Sequence, residues 1–262
     1  MKLELRAVSK MYHGARGPTP ALHDLEFTIA PGEFVCLLGP SGCGKTTTLN
    51  LIAGLDQPDS GEILMDGRPV AGPGSDRGVI FQEAALFPWL NVWQNVAFGL
   101  AARGVPRMER LRIALDHLRL VHLEPFEKAN VHELSGGMKQ RVAIARALTL
   151  DPEVLLMDEP FGALDALARE QLHFELQTLW AQTRKTIVFV THNVREALVL
   201  GDRVLLFSAR PGRIRGEFHC DLPRPRHIDD HALVDCSRGI LQDLREEVLR
   251  TQEEERREPM AT

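Results

Sequence analysis

Phe34-Val35-Cys36-Leu37-Leu38-Gly39-Pro40-Ser41-Gly42-Cys43-Gly44-Lys45-Thr46-Thr47 contains a strand, a turn and the start of a helix. Its first five residues are apolar without a break, the pattern of a strand buried on both faces. The next eight fit G-x-x-x-x-G-K-[ST], a loop that turns backbone N–H groups inward around phosphate oxygens. A helix is expected after it, directing its positive end at the same anion. Lys45 would give a point charge to the outer phosphates of a nucleotide, and Thr46 a hydroxyl to Mg²⁺. Cys43 is not needed for this chemistry and reads as a small filler of the loop rather than a redox sensor.

Further buried-strand runs follow at Val154 to Met157, Ile187 to Val190 and Val204 to Phe207. Helical segments lie between them, so the fold expected is α/β with a mostly parallel sheet. Ahead of the loop, Leu3 to Val8 and Leu22 to Ile29 alternate in strand fashion. Between Phe87 and Leu134 the character changes. Asn91 to Ala102 and Arg107 to Leu120 read as helices, with no buried strand among them. Beyond His227 the chain is charged and amphipathic, and Ile240, Leu241, Leu244 and Val248 have helical spacing. The EEERREPMAT end reads as frayed.

The chain has 262 residues, a net charge of −5 and 44% hydrophobic residues, which excludes collagen-like, disulfide-scaffold and wholly disordered chains. The negative charge gives no global attraction for nucleic acid. Cys36, Cys43, Cys220 and Cys236 form no CxxC pair, which fits a reducing compartment rather than a zinc site. MKLELRAVSK has no apolar core and does not read as a signal peptide. Ala84 to Ala102 is uncharged and long enough to cross a bilayer, but Pro88, Asn91, Gln94 and Asn95 would be costly in lipid. It reads as a protein surface or interface.

Val154-Leu155-Leu156-Met157-Asp158-Glu159 is an apolar strand ending in two acids, costly unless a cation or hydrogen bonds meet them. Asp158 would hold the magnesium shell, and Glu159 would polarise an attacking water as general base. Leu134-Ser135-Gly136-Gly137-Met138-Lys139-Gln140-Arg141 offers a second anion cradle. Ser135 can cap the helix that follows, and Gly136 and Gly137 permit close backbone approach. One nucleotide site needs only one such cradle, so the spare one makes sense if it closes on the γ-phosphate held by another subunit.

With these motifs the sequence resembles the ATP-binding-cassette (ABC) ATPases from Met1 to about Arg215. GPSGCGKTT is similar to Walker A (Gly39, Pro40, Ser41, Gly42, Cys43, Gly44, Lys45, Thr46 and Thr47), VLLMDEP to Walker B, and LSGGMKQR to the family signature. Gln82 after GVIF matches the Q-loop glutamine, Ala163-Leu164-Asp165 the D-loop, and His192 in VFVTHN the switch histidine. Tyr12 stands where the family places an aromatic against adenine. The resemblance implies a P-loop NTPase (RecA-like) core with an N-terminal antiparallel β portion and an inserted helical subdomain. The divisions expected are 1–86 and 141–226 for the ATP-binding core, 87–140 for the helical subdomain and 227–262 for a C-terminal helical extension. It also implies ATP and Mg²⁺ as cofactors, Thr46, Gln82 and Asp158 at the metal, and Lys45, Glu159 and His192 in catalysis. Asp165 would act across a dimer interface.

One compact cassette without long coiled-coil arms favours a transporter subunit over a soluble cassette acting on nucleic acid or a protein complex. LLGPSGCGKTTTLNLIAGL, ALFPWLNVWQNVAFGL, MDEPFGALDA and VTHNVREALVLGDRVLLFSARPGRI look like the nitrate/sulfonate/taurine importer group. The partners implied are a second copy of the chain, transmembrane permease subunits and, indirectly, an extracytoplasmic solute-binding protein. The place implied is the cytoplasmic face of the inner membrane. Leu86, Phe87, Pro88 and Trp89, beside Gln82, are expected to form an exposed docking patch for a helix of the permease, or else to pack into the helical insertion.

Overall fold

A computed structural model describes residues 2–14 and 17–257. In chain order the elements are β1 (Leu3–Gly14), β2 (Gly17–Ile29), β3 (Phe34–Leu38), α1 (Lys45–Ala53), β4 (Ser60–Met65), β5 (Arg68–Pro69) and β6 (Arg77–Ile80). Then come α2 (Val92–Val96), α3 (Phe98–Ala102), α4 (Arg107–Leu120), α5 (Gly136–Leu148), β7 (Val154–Asp158) and α6 (Ala166–Thr183). The last are β8 (Thr186–Thr191), α7 (Val194–Leu200), β9 (Arg203–Phe207), β10 (Ile214–His219) and α8 (His231–Arg257). The chain packs as two units, one of Met1–Pro73 with Val188–Thr262, the other Gly74–Ile187.

In the first unit, β2-β1-β4-β5 form an antiparallel sheet. β1 and β2 run farther than the expected Leu3 to Val8 and Leu22 to Ile29. Register shifts between Leu5 and Val8 and again up to Met11 break the alternation that marks a strand in sequence. Pro18 and Pro20 are tolerated because β2 is the edge of this sheet. A second set runs β10-β9-β3-β8, with β3 and β9 parallel and every residue of both buried. α7 packs on β3 and α8 on α7. α8 buries Leu233, Ser237, Ile240 and Glu247. Val248, expected on the packed face, is exposed, and Glu247 is buried because its carboxylate accepts from Ala209 N (2.7 Å) and pairs with Arg215 Nε (3.1 Å). Of the expected frayed end, 253–262, residues 253–257 continue α8 and 258–262 lie outside the described residues.

In the second unit, β6 and β7 pair in parallel, Arg77 to Val154 through Ile80 to Met157. α2, α4 and α5 pack on one another, and α5 also packs on β6 and α6. The expected single helix from Asn91 to Ala102 is two, α2 and α3, joined at Ala97. Asn91 starts α2 with a capping box, its side chain accepting from Gln94 N while Gln94 returns to Asn91 N. Among the described residues no helix is long and apolar enough to cross a membrane.

Candidate functional site

The phosphate-loop residues lie in the first unit. Loop and strand are packed too tightly for side chains at the glycines. A Cβ on Gly39 would sit 2.8 Å from Cys43 Sγ and 3.0 Å from Phe207 Cβ. One on Gly44 would sit 2.5 Å from Leu22 Cδ2 and 2.9 Å from Ala21 O. Gly44 also has φ 96°, the left-handed conformation that costs other residues most. α1 begins at Lys45 without a side-chain cap. An anion at that end would stand where a cap stands in other helices.

Lys45 is 6% exposed, and its Nζ donates to Gly39 O and Pro40 O, both at 2.8 Å. A cation is thus held inside the loop by two weak acceptors, a setting that fits phosphate. Cys43 Sγ lies 3.6 Å from Lys45 Nζ. Burial pushes the Cys43 thiol up and Lys45 pulls it down, with burial the larger effect. A protonated, enclosed thiol is a poor nucleophile, in keeping with the filler reading.

Tyr12, on β1, is partly exposed; its hydroxyl donates to Asp56 Oδ2 at 2.9 Å and it also bonds Thr47. Burial raises the phenol's pKa. Lys10 Nζ lies 5.4 Å from the ring centre and donates to Asp56 Oδ1 at 2.8 Å. His192 is exposed in the turn after β8. The turn is fixed on both sides: Asn193 N donates to Thr191 Oγ1 (3.0 Å), and the Asn193 side chain caps α7 through Arg195 N and Glu196 N.

The acidic strand end, Gln82 and the signature turn lie in the second unit. β7 is buried up to Met157 and emerges at Asp158 and Glu159. Glu159 has φ 43°, a left-handed backbone on a non-glycine residue. Such strain costs about 1–3 kcal/mol and is held only where surroundings fix it. Here Gly162 N donates to Glu159 O at 3.1 Å and closes a turn. A Cβ on Gly162 would lie 3.5 Å from Gln82 Nε2 and 3.9 Å from Glu159 Oε2, so the Gln82 amide and the Glu159 carboxylate converge on this glycine.

Ser135 caps α5, its hydroxyl accepting from Met138 N at 3.3 Å. Asp165 caps α6 in the same way, accepting from Ala168 N at 3.0 Å. The two capped starts adjoin: a Cβ on Gly136 would meet Leu164 Cδ2 at 3.2 Å, and one on Gly137 would meet Ala168 Cβ at 3.9 Å. Arg141 on α5 pairs with Glu175 on α6 at 2.8 Å. Burial pushes the Glu175 carboxyl up while Arg141 opposes it. Ser135→Ala removes the α5 cap and is expected to cost about 1 kcal/mol in a urea unfolding series; an unchanged midpoint would count against the cap.

Beside Gln82 a cavity of about 480 Å³ is lined by Phe81, Phe87, Phe98, Arg146, Leu150 and Pro152, among others. The expected patch divides here. Trp89 is 74% exposed and Pro88 is exposed. Leu86 and Phe87 are half-buried, with the Phe87 ring 4.2 Å from Phe98 and 5.5 Å from Trp89. Arg146, Gln140 and Asn95 hold this segment; in the sequence Gln140 stands out only as part of the signature run, Asn95 only as a polar residue costly in lipid, and Arg146 not at all. The partners of Gln140 and Arg146 lie 59 to 62 positions away, and no local pattern announces such contacts. Of the four cysteines, Cys36, Cys43 and Cys220 are buried, Cys236 is exposed, and all are free. Among the described residues no cluster of His, Cys, Asp and Glu could hold a metal by itself.

Comparison with known proteins identifies the family. The ABC transporter family profile matches residues 22–162. The chain is 51% identical to a taurine import ATP-binding protein of Burkholderia pseudomallei, over 85% of this chain and 86% of that one. It is 50% identical to a nitrate import ATP-binding protein of Synechocystis sp., over 85% and 84%. A dimeric ATP-binding cassette in a post-hydrolysis state, bound to ADP and Pi, superposes with a TM-score of 0.73 at 34% identity, over 84% of this chain and all of that one. The chain belongs to the ABC transporter family, as an ATP-binding, ATP-hydrolysing member.

Proposed function

We propose that this chain powers an importer of a small anionic or zwitterionic solute of the nitrate, sulfonate or taurine kind. It would act as a homodimer on the cytoplasmic face of the inner membrane, bound to transmembrane permease subunits that receive solute from an extracytoplasmic binding protein. The observation that carries the reading is the pair of anion-competent helix starts on one chain, at Lys45 and at Ser135. Two copies then supply two complete sets of phosphate-binding elements. Half identity to importer ATPases over most of the chain supports the transport assignment.

In this reading Tyr12 stacks on adenine and Gly39 to Thr47 cradle the phosphates, with Lys45 at the outer ones. The hydroxyl of Thr46, the carboxamide of Gln82 and the carboxylate of Asp158 are hard oxygen donors that suit Mg²⁺. When bound, Mg²⁺ would neutralise charge on the phosphates. Glu159 accepts a proton from the attacking water as its oxygen bonds to the γ-phosphorus, and ADP leaves as the anion. His192 donates a hydrogen bond to the γ-phosphate. Ser135, Gly136 and Gly137 of a second copy close on the same phosphate, and Asp165 contributes at the dimer interface. ATP thus draws two copies together, and hydrolysis lets them part.

Residues 87–140 would carry both the docking groove and the signature turn. Phe87→Ala combined with Trp89→Ala is expected to reduce copurification of membrane subunits by about tenfold or more, the loss of an aromatic anchor pair. The assignment is tested by tagging the Glu159→Gln chain, holding it in Mg-ATP and identifying what copurifies from detergent-solubilised cells. Polytopic membrane proteins are expected. Recovery of only soluble proteins or nucleic acid would favour a soluble cassette and overturn the importer reading.

A further inference from the structure

From Phe81 to Leu90 the chain belongs to no helix or strand, yet its carbonyls are held by three side chains. Gln140 Nε2 donates to Phe81 O at 3.2 Å. Arg146 Nη2 and Nη1 donate to Ala84 O at 2.9 Å and Ala85 O at 2.8 Å. One guanidinium can serve two consecutive carbonyls because Ala85 has φ 44°, which bends the chain between them. The same guanidinium stacks over the Phe87 ring at 5.6 Å. Beyond it, fully buried Asn95 accepts from Phe87 N (2.8 Å) and donates to Phe87 O, Leu90 O and Asn91 O at 3.0–3.2 Å.

Gln140 and Arg146 both stand on α5, the helix capped by Ser135. A helix transmits displacement along its axis with little loss, and Arg146 is about 16 Å from its start. Gln140 is buried and Arg146 half-buried, and neither donates its bonds to a mobile side chain; the acceptors are all backbone. Burial also holds the Arg146 guanidinium below its ordinary pKa, in keeping with a desolvated contact. A single exposed ion pair would hold the segment at one point, whereas the guanidinium fork holds two consecutive carbonyls at once.

We propose that Arg146, assisted by Gln140, is a positioning residue that makes the docking segment 81–90 and the Ser135 end of α5 one rigid body. A push on the docking segment then arrives at the signature turn, and closure of the signature turn on nucleotide pulls on the docking segment. This rests on the roles given to Ser135 and to the docking segment under the proposed function.

The test uses the full chain carrying Glu159→Gln, so that bound ATP persists, with Arg146 intact, Arg146→Gln or Arg146→Lys. Amide hydrogen exchange is followed without nucleotide and with Mg-ATP, in peptides covering 81–90, 135–140 and, as control, α4. With Arg146 intact, ATP is expected to slow exchange in both 81–90 and 135–140. In Arg146→Gln the response at 135–140 persists while that at 81–90 falls by at least about fivefold. Arg146→Lys, which keeps the charge but not the fork, is expected to lie between. Equal responses in the Gln and intact chains would overturn the proposal, as would full recovery with Lys. If Arg146→Gln also loosens α4, Gln140→Met decides, since it cuts only the Phe81 tie: a weakened ATP response at 81–83 supports the proposal and an unchanged one overturns it. Absence of any ATP response at 135–140 in the intact chain would remove the role of Ser135 and this proposal with it. Recovery of membrane subunits is scored separately, so failure of docking with coupled exchange intact would remove only the docking reading.

Discussion

Glu159→Gln is expected to lower ATP turnover by about 10²–10⁴-fold, the usual contribution of a positioned general base. It is also expected to leave ATP binding in place. The carboxamide has the carboxylate's shape, so the turn closed by Gly162 N and the left-handed backbone at φ 43° are kept. Only proton acceptance is lost. A chain that binds ATP without consuming it should stay closed, so the 29.3 kDa chain should double in mass in Mg-ATP and return to a monomer when nucleotide is removed. Phosphate release and light scattering check the two halves separately. Turnover close to that of the parent would remove Glu159 from the general-base role. Low turnover with no dimer would leave the base and remove the two-copy closure.

The placement of Glu159 shows what a single sequence can carry. That it would follow the end of a buried strand was readable, since two acids after an apolar run are costly without a partner. The strain at its backbone was not, since nothing in VLLMDEP marks a positive φ. The loop from Gly39 to Thr46 was more fully legible: β3 ends at Leu38 and α1 begins at Lys45, as the motif requires. β7, β8 and β9 likewise contain the runs expected of them. Legibility failed where a local rule was overridden. The β1–β2 hairpin continues past Val8 because bulges let it, and bulges erase the period-two signal. α8 buries Glu247 where an apolar residue was expected, because Arg215 and an amide satisfy it.

The docking segment marks the other boundary. Its aromatic content was plain in the sequence, but its support was not. Asn95 reads as a polar residue in a helix, and Arg146 as one more cation in an amphipathic one. Their hydrogen bonds go to carbonyls of a segment without regular structure, which carry no side-chain identity at all. Such contacts are visible only once the chain is folded.

Lys45→Met is expected to weaken ATP binding by at least about a hundredfold, roughly 3 kcal/mol, as charge-assisted bonds to phosphate are lost. The ground for this is the position of the ammonium. It is buried and already bonded to Gly39 O and Pro40 O, so its positive charge is set inside the loop before any nucleotide arrives. Met keeps the length of the stem and fills the same space, which separates charge from packing. Losing the two carbonyl bonds alone should cost the nucleotide-free chain about 1–2 kcal/mol. Thermal unfolding with and without Mg-ATP distinguishes the effects. At a hundred times the parent's dissociation constant, ATP should stabilise the parent by about 2.7 kcal/mol and Lys45→Met by about 0.4 kcal/mol or less. Gly44→Ala is the complementary change, because it keeps the charge but drives a Cβ to within 2.5 Å of Leu22 Cδ2. It should lose ATP stabilisation and native stability together, whereas Lys45→Met should lose the first and keep most of the second. An undiminished ATP shift in Lys45→Met would mean that the backbone cradle binds phosphate without the lysine, and the role given to Lys45 would fall.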